Sequence, residues 1–442
     1  MSSDLRYPGS TLWSIRRSRE SRTAHSPLAF LDLLARGGDF VPFMLARQPA
    51  VLLNRPDYVS TVLVGNAAKF QKGRANLRTK HLLGNSLLTA DSGPNDERRR
   101  LIQPSFARAR MHECAQVIVN RTRRMCEEWR CDAVVDMTDA IGRLTFGIVG
   151  EAIIGDLVDA DFRQVNNALS DAIASLDPLF SSVAPLRHVR RAQRQLRRVV
   201  QALYARSSEH ASGGSLLALL KAHEPGPASA DQRIDDLLTI LLAGHDTMTS
   251  AVSWTMALVA AHPEAERRMH QELDAVLGDR GATDLDVPDL PYTRAVLAES
   301  LRLYPPAWVL ARQAVEPHRF DGNEVTAGTV VLVSQYLLHR DERFFDRPRA
   351  FEPGRWLVPG GPAHPRFAYF PFGAGTRSCI GESFGWLEGV LVLATIGQRW
   401  QLRTLDGVFP EIDVRITLRP RGRLLMRTAA RQRDRDRPGS AM

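Results

Sequence analysis

The chain has 442 residues, 44% of them hydrophobic, which is ample for a large buried core built as one big enzyme or as two or three ordinary domains. Its formal net charge of +9 comes almost wholly from arginine, because lysine occurs only at 69, 72, 80 and 221. A basic surface favours acidic partners, but no base-reading motif or zinc finger accompanies the charge, which sets nucleic-acid binding aside.

The four cysteines, Cys114, Cys126, Cys131 and Cys379, contain no C-x-x-C pair and form no disulfide framework, a usage that fits a reducing cytoplasm. The first forty residues hold no apolar run of spanning length, and Leu12-Trp13 leads into Arg16 and Arg17. Neither a signal peptide nor a membrane anchor is expected.

Residues 1–26 are polar and marked by Pro and Gly, which predicts an extended arm. A helix is expected from Pro27 through Leu34, a short strand over 50–53, and a second short helix opening at Pro56-Asp57-Tyr58. Residues 82–89 read as a loop around Gly84 and Asn85. After Pro94, the acid residues Asp96 and Glu97 signal a helix start, and Arg98, Arg99 and Arg100 follow. Two amphipathic helices are expected over 111–129 and 139–155, with a strand-like Ala133-Val134-Val135 between them. Cys114 and Cys126 suit small core residues. Two further helices occupy 161–211, broken near Pro178 and Pro185, and the second is rich in arginine. The breaker-rich stretch 224–229 is a loop.

Residues 232–261 read as one helix of roughly 45 Å at 1.5 Å per residue, apolar nearly all round and therefore buried. Its centre, Ala243-Gly244-His245-Asp246-Thr247-Met248-Thr249, is at odds with that setting. Glycine and polar groups inside an apolar helix cost stability and need a reason. Thr247 can bond the carbonyl four residues back and open a notch. His245 reads as a packing residue.

A helix starts at His262-Pro263-Glu264. Another, over 292–304, carries Glu299 and Arg302 on one face, where they can pair. Strands are expected over 309–312 and 330–333, and hairpins over 405–428. Residues 431–442 are charged and expected to be a disordered tail. No internal repeat or shift of composition divides the chain, so residues 27–430 are expected to be one catalytic domain.

The most informative stretch is Phe372-Gly373-Ala374-Gly375-Thr376-Arg377-Ser378-Cys379-Ile380-Gly381. A lone cysteine in a glycine-rich loop, with Arg377 two residues before it and a helix after it, suits a thiolate metal ligand. Flanking glycines permit tight turns and bring backbone N–H groups near the sulfur. No second Cys or His lies at zinc-ligand spacing, and haem iron held by one thiolate fits better.

These ten residues match Phe-x-x-Gly-x-Arg-x-Cys-x-Gly and resemble the haem-binding loop of the cytochrome P-450 superfamily, with Phe384 and Glu388 also in register. The resemblance runs from about residue 40 to 428. It implies a mainly α fold with small β-sheets (α+β), with haem b between the long central helix and the cysteine loop. It makes Cys379 the axial iron ligand, with Phe372 and Gly381 in the same loop. Ala243 and Gly244 are to leave room for dioxygen, Thr247 to donate a hydrogen bond to it, and Asp246 to relay protons through water. Met248 stands where a second Thr is common.

Arg99 resembles the arginine of the family's Trp-x-x-x-Arg helix, with Asn95 in place of the aromatic. Arg99, Arg312 and Arg377 are thereby assigned to the haem propionates, since guanidinium binds carboxylate through paired hydrogen bonds. Arg355 resembles the partner of Glu299 and Arg302, and the three are expected to form a buried structural network. His339-Arg340-Asp341 and Phe344 resemble the run before it. Ile173, Leu176, Leu179, Phe180, Val183 and the Val408-Phe409 turn are candidate substrate contacts.

The implied activity is monooxygenation, by hydroxylation or epoxidation, of an apolar organic molecule, with a slight preference for terpenoid or fatty acid. The protein is expected to be a monomer. With no reductase fused, electrons are expected from a ferredoxin or flavodoxin docking near Arg98, Arg108, Arg110 and Arg377. A peroxide-driven peroxygenase and a non-catalytic haem sensor are the alternatives, and neither needs the Asp246 and Thr247 pair.

Overall fold

The computed structural model describes residues 13–14, 26–45, 48–73, 77–90, 93–155, 160–173, 186–206, 215–222, 230–359, 364–405 and 407–431. It is organised on the central helix Ala230–Ala261, whose side chains are buried on almost every face. A helix without a polar stripe has no face to give to water, so its neighbours wrap it. Met137–Ile148, continued by a π-helical turn Val149–Ile154, packs along one side, with Pro291–Leu303 and Glu382–Gly397 also against it. Proline at the first turn starts the helices at Pro27, Pro56, Pro94, Pro263 and Pro291, where its missing N–H costs nothing. The Asp136 side chain caps Met137–Ile148 by accepting from Thr138 N at 3.2 Å.

The sheets are small and lie beside this helical body. The largest has six strands in the order Trp13–Ser14, Phe40–Leu45, Gln48–Leu53, Val330–Val333, Leu310–Ala314 and Phe70–Gln71. Gln48–Leu53 runs parallel to Val330–Val333. Their paired stretches, Ala50–Leu52 and Val330–Leu332, are continuous apolar runs because both faces of the sheet are covered. Ala50, Leu52, Val330 and Leu332 enter one core, and Val51, Leu53, Val331 and Val333 enter another, as the two-residue alternation of a strand requires. Trp400–Thr404, Leu425–Ala430 and Val134–Asp136 form a three-stranded sheet, and Ile412–Val414 pairs with Leu418–Pro420 as a hairpin.

Within the arm, Trp13–Ser14 is extended and pairs in parallel with Phe43 and Met44. One expectation changes. Leu82 and Leu83 belong to the helix Leu77–Leu83, and the loop begins at Gly84. The rest of the arm, the tail beyond 431, the 224–229 loop, the breaks near Pro178 and Pro185, and the contacts at Leu176, Leu179, Phe180 and Val183 lie outside the described residues, as does the side chain of Ile173. No helix among the described residues is long and apolar enough to cross a membrane.

Candidate active site

The cysteine loop is folded by its glycines. Gly373 and Gly375 take φ of 70° and 71°, and Cys379 N donates to Phe372 O at 2.8 Å, closing the loop on itself. A side chain at Gly375 would collide with the carbonyl of Leu63, so the loop is seated on the turn Thr61–Gly65. The loop then passes through Gly381 into the helix Glu382–Gly397. A Cβ on Gly381 would stand 3.3 Å from the Phe106 ring. Phe372 packs on Trp386 with ring centroids 5.5 Å apart.

Cys379 keeps an accessible face, while the protein packed around it pushes its thiol up. The Gly381 N–H and the Arg99 guanidinium act the other way. Arg99 thus supplies the cation at the sulfur, where the sequence suggested Arg377. Burial outweighs both, so a bound metal ion is what would hold the sulfur as thiolate.

The three candidate anion-binding arginines are placed differently. Arg99 lies against the loop, its Nη1 donating to Ser378 O at 2.8 Å and its Nη2 reaching Ser378 Oγ at 3.5 Å. Arg377 Nη1 donates to Ala90 O at 2.8 Å. Arg312 is only 8% exposed, and its Nη1 donates to Ala311 O at 2.9 Å. Among the described residues no carboxylate pairs with Arg312. Burial, together with the nearby charge of Arg377, pushes its guanidinium down to about 10. A buried cation with a second, half-buried one near it calls for an anion, and the carboxylates of haem are of the right chemistry. Asn95 takes no part, because it is buried and its Nδ2 donates to Leu87 O at 2.6 Å.

The opposite wall is the middle of the central helix. A Cβ built on Gly385 would stand 3.4 Å from the Phe372 ring and 3.7 Å from Met248 Sδ, so the cysteine loop, the helix after it and the central helix meet there. Just before Met248, Ala243 is exposed and Thr247 half-buried in a helix that is otherwise covered. Thr247 Oγ1 donates to Ala243 O at 2.6 Å, the back-bond that a threonine notch requires. Gly244 also has a packing task. A Cβ there would press on Val149 Cγ2 at 2.8 Å, so glycine allows the Val149–Ile154 turn to approach.

Asp246 is buried, pairs with Arg419 and accepts from Thr417 Oγ1 at 2.8 Å, both in the 412–420 hairpin. The same hairpin is held by Ser250 Oγ and Trp254 Nε1, both donating to Leu418 O. His245 points away among Phe146 and Phe162, with Nδ1 3.1 Å from Thr145 Oγ1, and burial pushes it down to about 3.

Glu299 and Arg302 are fully buried, and Glu299 gathers five donors. Arg302 Nη2 and Nε reach it at 2.8 and 2.9 Å, and Arg355 Nε at 2.9 Å. Glu352 N and Trp356 Nε1, which the sequence did not single out, add bonds of 3.0 and 2.9 Å. Arg302 also donates to the carbonyls of His339, Pro348 and Ala350, which ties the segment ahead of the cysteine loop to the helix Pro291–Leu303.

Two expected roles are corrected by burial. Arg98 is 7% exposed, donates to Asn85 O and faces Asp236, so it is no part of a docking surface; Arg108 is exposed. In the Val408-Phe409 turn, Phe409 stacks with Trp254 at 5.9 Å while Val408 is exposed to solvent. A cleft of 710 Å³ lined by Asp32, Arg36, Tyr304, Tyr336 and Arg340 includes none of Cys379, Thr247, Arg99, Arg312 or Arg377 and touches the buried network at Pro348.

The family model described as "Cytochrome P450" matches residues 8–426. The chain is 34% identical to cyclooctatin synthase of Streptomyces melanosporofaciens, over 90% of each chain. It is also 34% identical to cyclooctat-9-en-7-ol 5-monooxygenase of the same organism, over 86% of each. The fold is similar to that of a six-coordinated cytochrome P450 from Thermus thermophilus, with TM-score 0.74 and 25% identity. That match covers 91% of this chain and 98% of the other.

Proposed function

The chain belongs to the cytochrome P450 family of haem-thiolate monooxygenases, and from that premise we propose that it oxygenates an apolar, terpenoid-like carbocycle using electrons from a separate redox protein in the cytoplasm. Haem, when bound, supplies the one-electron and dioxygen chemistry. The observation that carries the reading is an accessible Cys379 in a loop that meets the central helix at Met248, with Arg377 of that loop near a buried Arg312 that pairs with no carboxylate among the described residues.

In this reading Cys379 Sγ would hold the haem iron, Arg312 and Arg377 would hold its carboxylates, and Arg99 steadies the loop through Ser378. Thr247 Oγ1 would leave Ala243 O to donate a hydrogen bond into the site, and Asp246 would pass protons once its carboxylate is released by Arg419 and Thr417. Glu299, Arg302 and Arg355 keep the loop in register with the helices behind it. The terpenoid preference rests on the substrate named for one relative, an unsaturated cyclic alcohol. An acidic ferredoxin or flavodoxin would dock on the basic face that includes Arg108, so turnover should slow as salt is raised.

The test is to screen apolar carbocycles, cyclic terpenoids foremost, for the spin-state shift that follows loss of iron-bound water. Hits are then incubated with a surrogate redox system and isotopically labelled dioxygen. One labelled oxygen atom in the product supports the proposal. Shifts confined to straight-chain acids would sink the terpenoid assignment, and unlabelled product would sink the oxygenase reaction.

A further inference from the structure

His339 is fully buried and stands between the charged network and the segment that leads into the cysteine loop, bonded to both. On the network side its carbonyl accepts from Arg302 Nη1 at 2.8 Å. On the loop side its ring Nε2 accepts from Phe370 N at 2.9 Å, and the ring packs edge-on against Phe370 with centroids 5.4 Å apart. Accepting at Nε2 requires a neutral ring with its proton on Nδ1. The surroundings enforce the neutral form. Burial, and after it the charge of Arg302, pushes the ring well below the ordinary histidine range, while the Leu301 carbonyl pulls the other way. Nδ1 completes no bond of good geometry among the described residues, so the Phe370 N–H is the bond the ring makes.

From Phe370 the bonds continue to the cysteine. Phe370 O accepts from Gly373 N at 2.9 Å, so both backbone groups of Phe370 are held, one by His339 and one by the glycine turn at φ 70°. Two residues on, Phe372 O accepts from Cys379 N at 2.8 Å. A run of bonded groups thus leads from Glu299 through Arg302, His339 and Phe370 toward the backbone of Cys379. Phe370 is only 4% exposed, and a buried N–H is costly to leave unpaired. Its neighbour Tyr369 is tied to the same helix, Pro291–Leu303, through its side chain, whose hydroxyl donates to Ala298 O at 3.0 Å.

We infer that His339 is a positioning residue for Cys379: its Nε2, by fixing the Phe370 N–H, carries the placement of the buried network into the loop that presents the sulfur. The inference rests on the haem-thiolate reading above. Reach matters here as well as polarity. Glutamine can put an acceptor oxygen about where Nε2 stands, whereas asparagine can put one only about where Nδ1 stands.

The reduced holoprotein is bound to carbon monoxide and held in urea below its unfolding midpoint. Conversion of the red-shifted Soret band to the unshifted one, which reports loss of thiolate ligation, is then timed. His339→Asn should convert roughly tenfold faster than wild type, the scale of one lost buried hydrogen bond, and His339→Gln should stay within about threefold of wild type. Tyr369→Phe, which loses a neighbouring bond to the same helix but spares the Phe370 N–H, should also stay within about threefold. Equal rates for the Asn and Gln variants would overturn the inference, whether both are fast or both match wild type. So would a Tyr369→Phe variant as fast as His339→Asn. Should His339→Asn fail to fold, His339→Leu, which fills the site without burying a second polar group, takes its place with the same expectations. A wild type without the red-shifted band removes the haem-thiolate reading and this inference together, whereas a wild type that has it, with Asn and Gln variants alike, removes this inference only.

Discussion

Replacing Glu299 by Gln removes one charge and almost no volume, and its cost follows from the five donors around it. Arg302, fully buried, points two N–H groups at the carboxylate; Arg355 Nε, Trp356 Nε1 and Glu352 N point three more. An amide offers one acceptor oxygen and places an NH2 where donors already converge. The substitution strands the Arg302 charge, a loss of about 3–5 kcal/mol for a broken buried pair. Each buried donor left without an acceptor adds about 1–3 kcal/mol before relaxation. Against a total stability of about 5–15 kcal/mol, that is a large share. Urea unfolding of the haem-loaded protein, followed by tryptophan fluorescence and by Soret absorbance, should show a much lower midpoint with haem lost in the same transition. A midpoint within the equivalent of about 1 kcal/mol of wild type would refute the assignment. So would haem loss well ahead of an unchanged fluorescence transition, because the network would then not be what couples loop and helices.

Three further outcomes are expected. Arg312→Leu removes a buried guanidinium that pairs with no carboxylate among the described residues, so apoprotein stability should hold while haem transfer to apomyoglobin speeds up by roughly tenfold to a hundredfold. Thr247→Ala should leave the carbon monoxide spectrum intact and cut product formed per dioxygen consumed by roughly tenfold. Acid should weaken the fold through its buried histidines: His245 and His270 are pushed down to about 3, so below the ordinary 6.5 the unfolded chain binds protons that the folded chain refuses. Stability that is complete above pH 6.5 is lost as pH falls toward 3, by about 2 kcal/mol per histidine at about pH 5. Asp236, pushed up to about 7, opposes this, because its protonated form is favoured in the fold and its contribution fades as pH rises through 7. Comparing urea midpoints at about pH 7 and pH 5 for wild type and His245→Leu isolates the histidine, and the variant should show the smaller drop.

Local pattern carried much of this arrangement. A continuous apolar run spelled out the central helix, proline and acid residues marked helix starts, and the i, i+3 spacing of Glu299 and Arg302, with Arg355 added by the family resemblance, anticipated a network found at bond distance. Pairings between remote segments were not legible. Asp246 meets Thr417 and Arg419 more than 170 residues later in sequence, and nothing local to either segment specifies that contact. Gly244 and Gly375 read alike as small residues, yet one makes room for Val149 and the other for the carbonyl of Leu63. Arg98 and Arg99 are adjacent, and helical geometry turns one inward to Asp236 and the other to Ser378. Burial of this kind belongs to the fold, because a charged residue declares its chemistry but not the face on which it will lie.

Every role proposed for the site depends on Cys379 ligating haem iron as a thiolate. The most direct measurement is the difference spectrum of the reduced protein with and without carbon monoxide, for wild type and Cys379→His. Thiolate ligation predicts a red-shifted Soret band in wild type, and its replacement by the unshifted band of an imidazole ligand in the variant. An unshifted band in wild type, or a red-shifted band that survives Cys379→His, would contradict it.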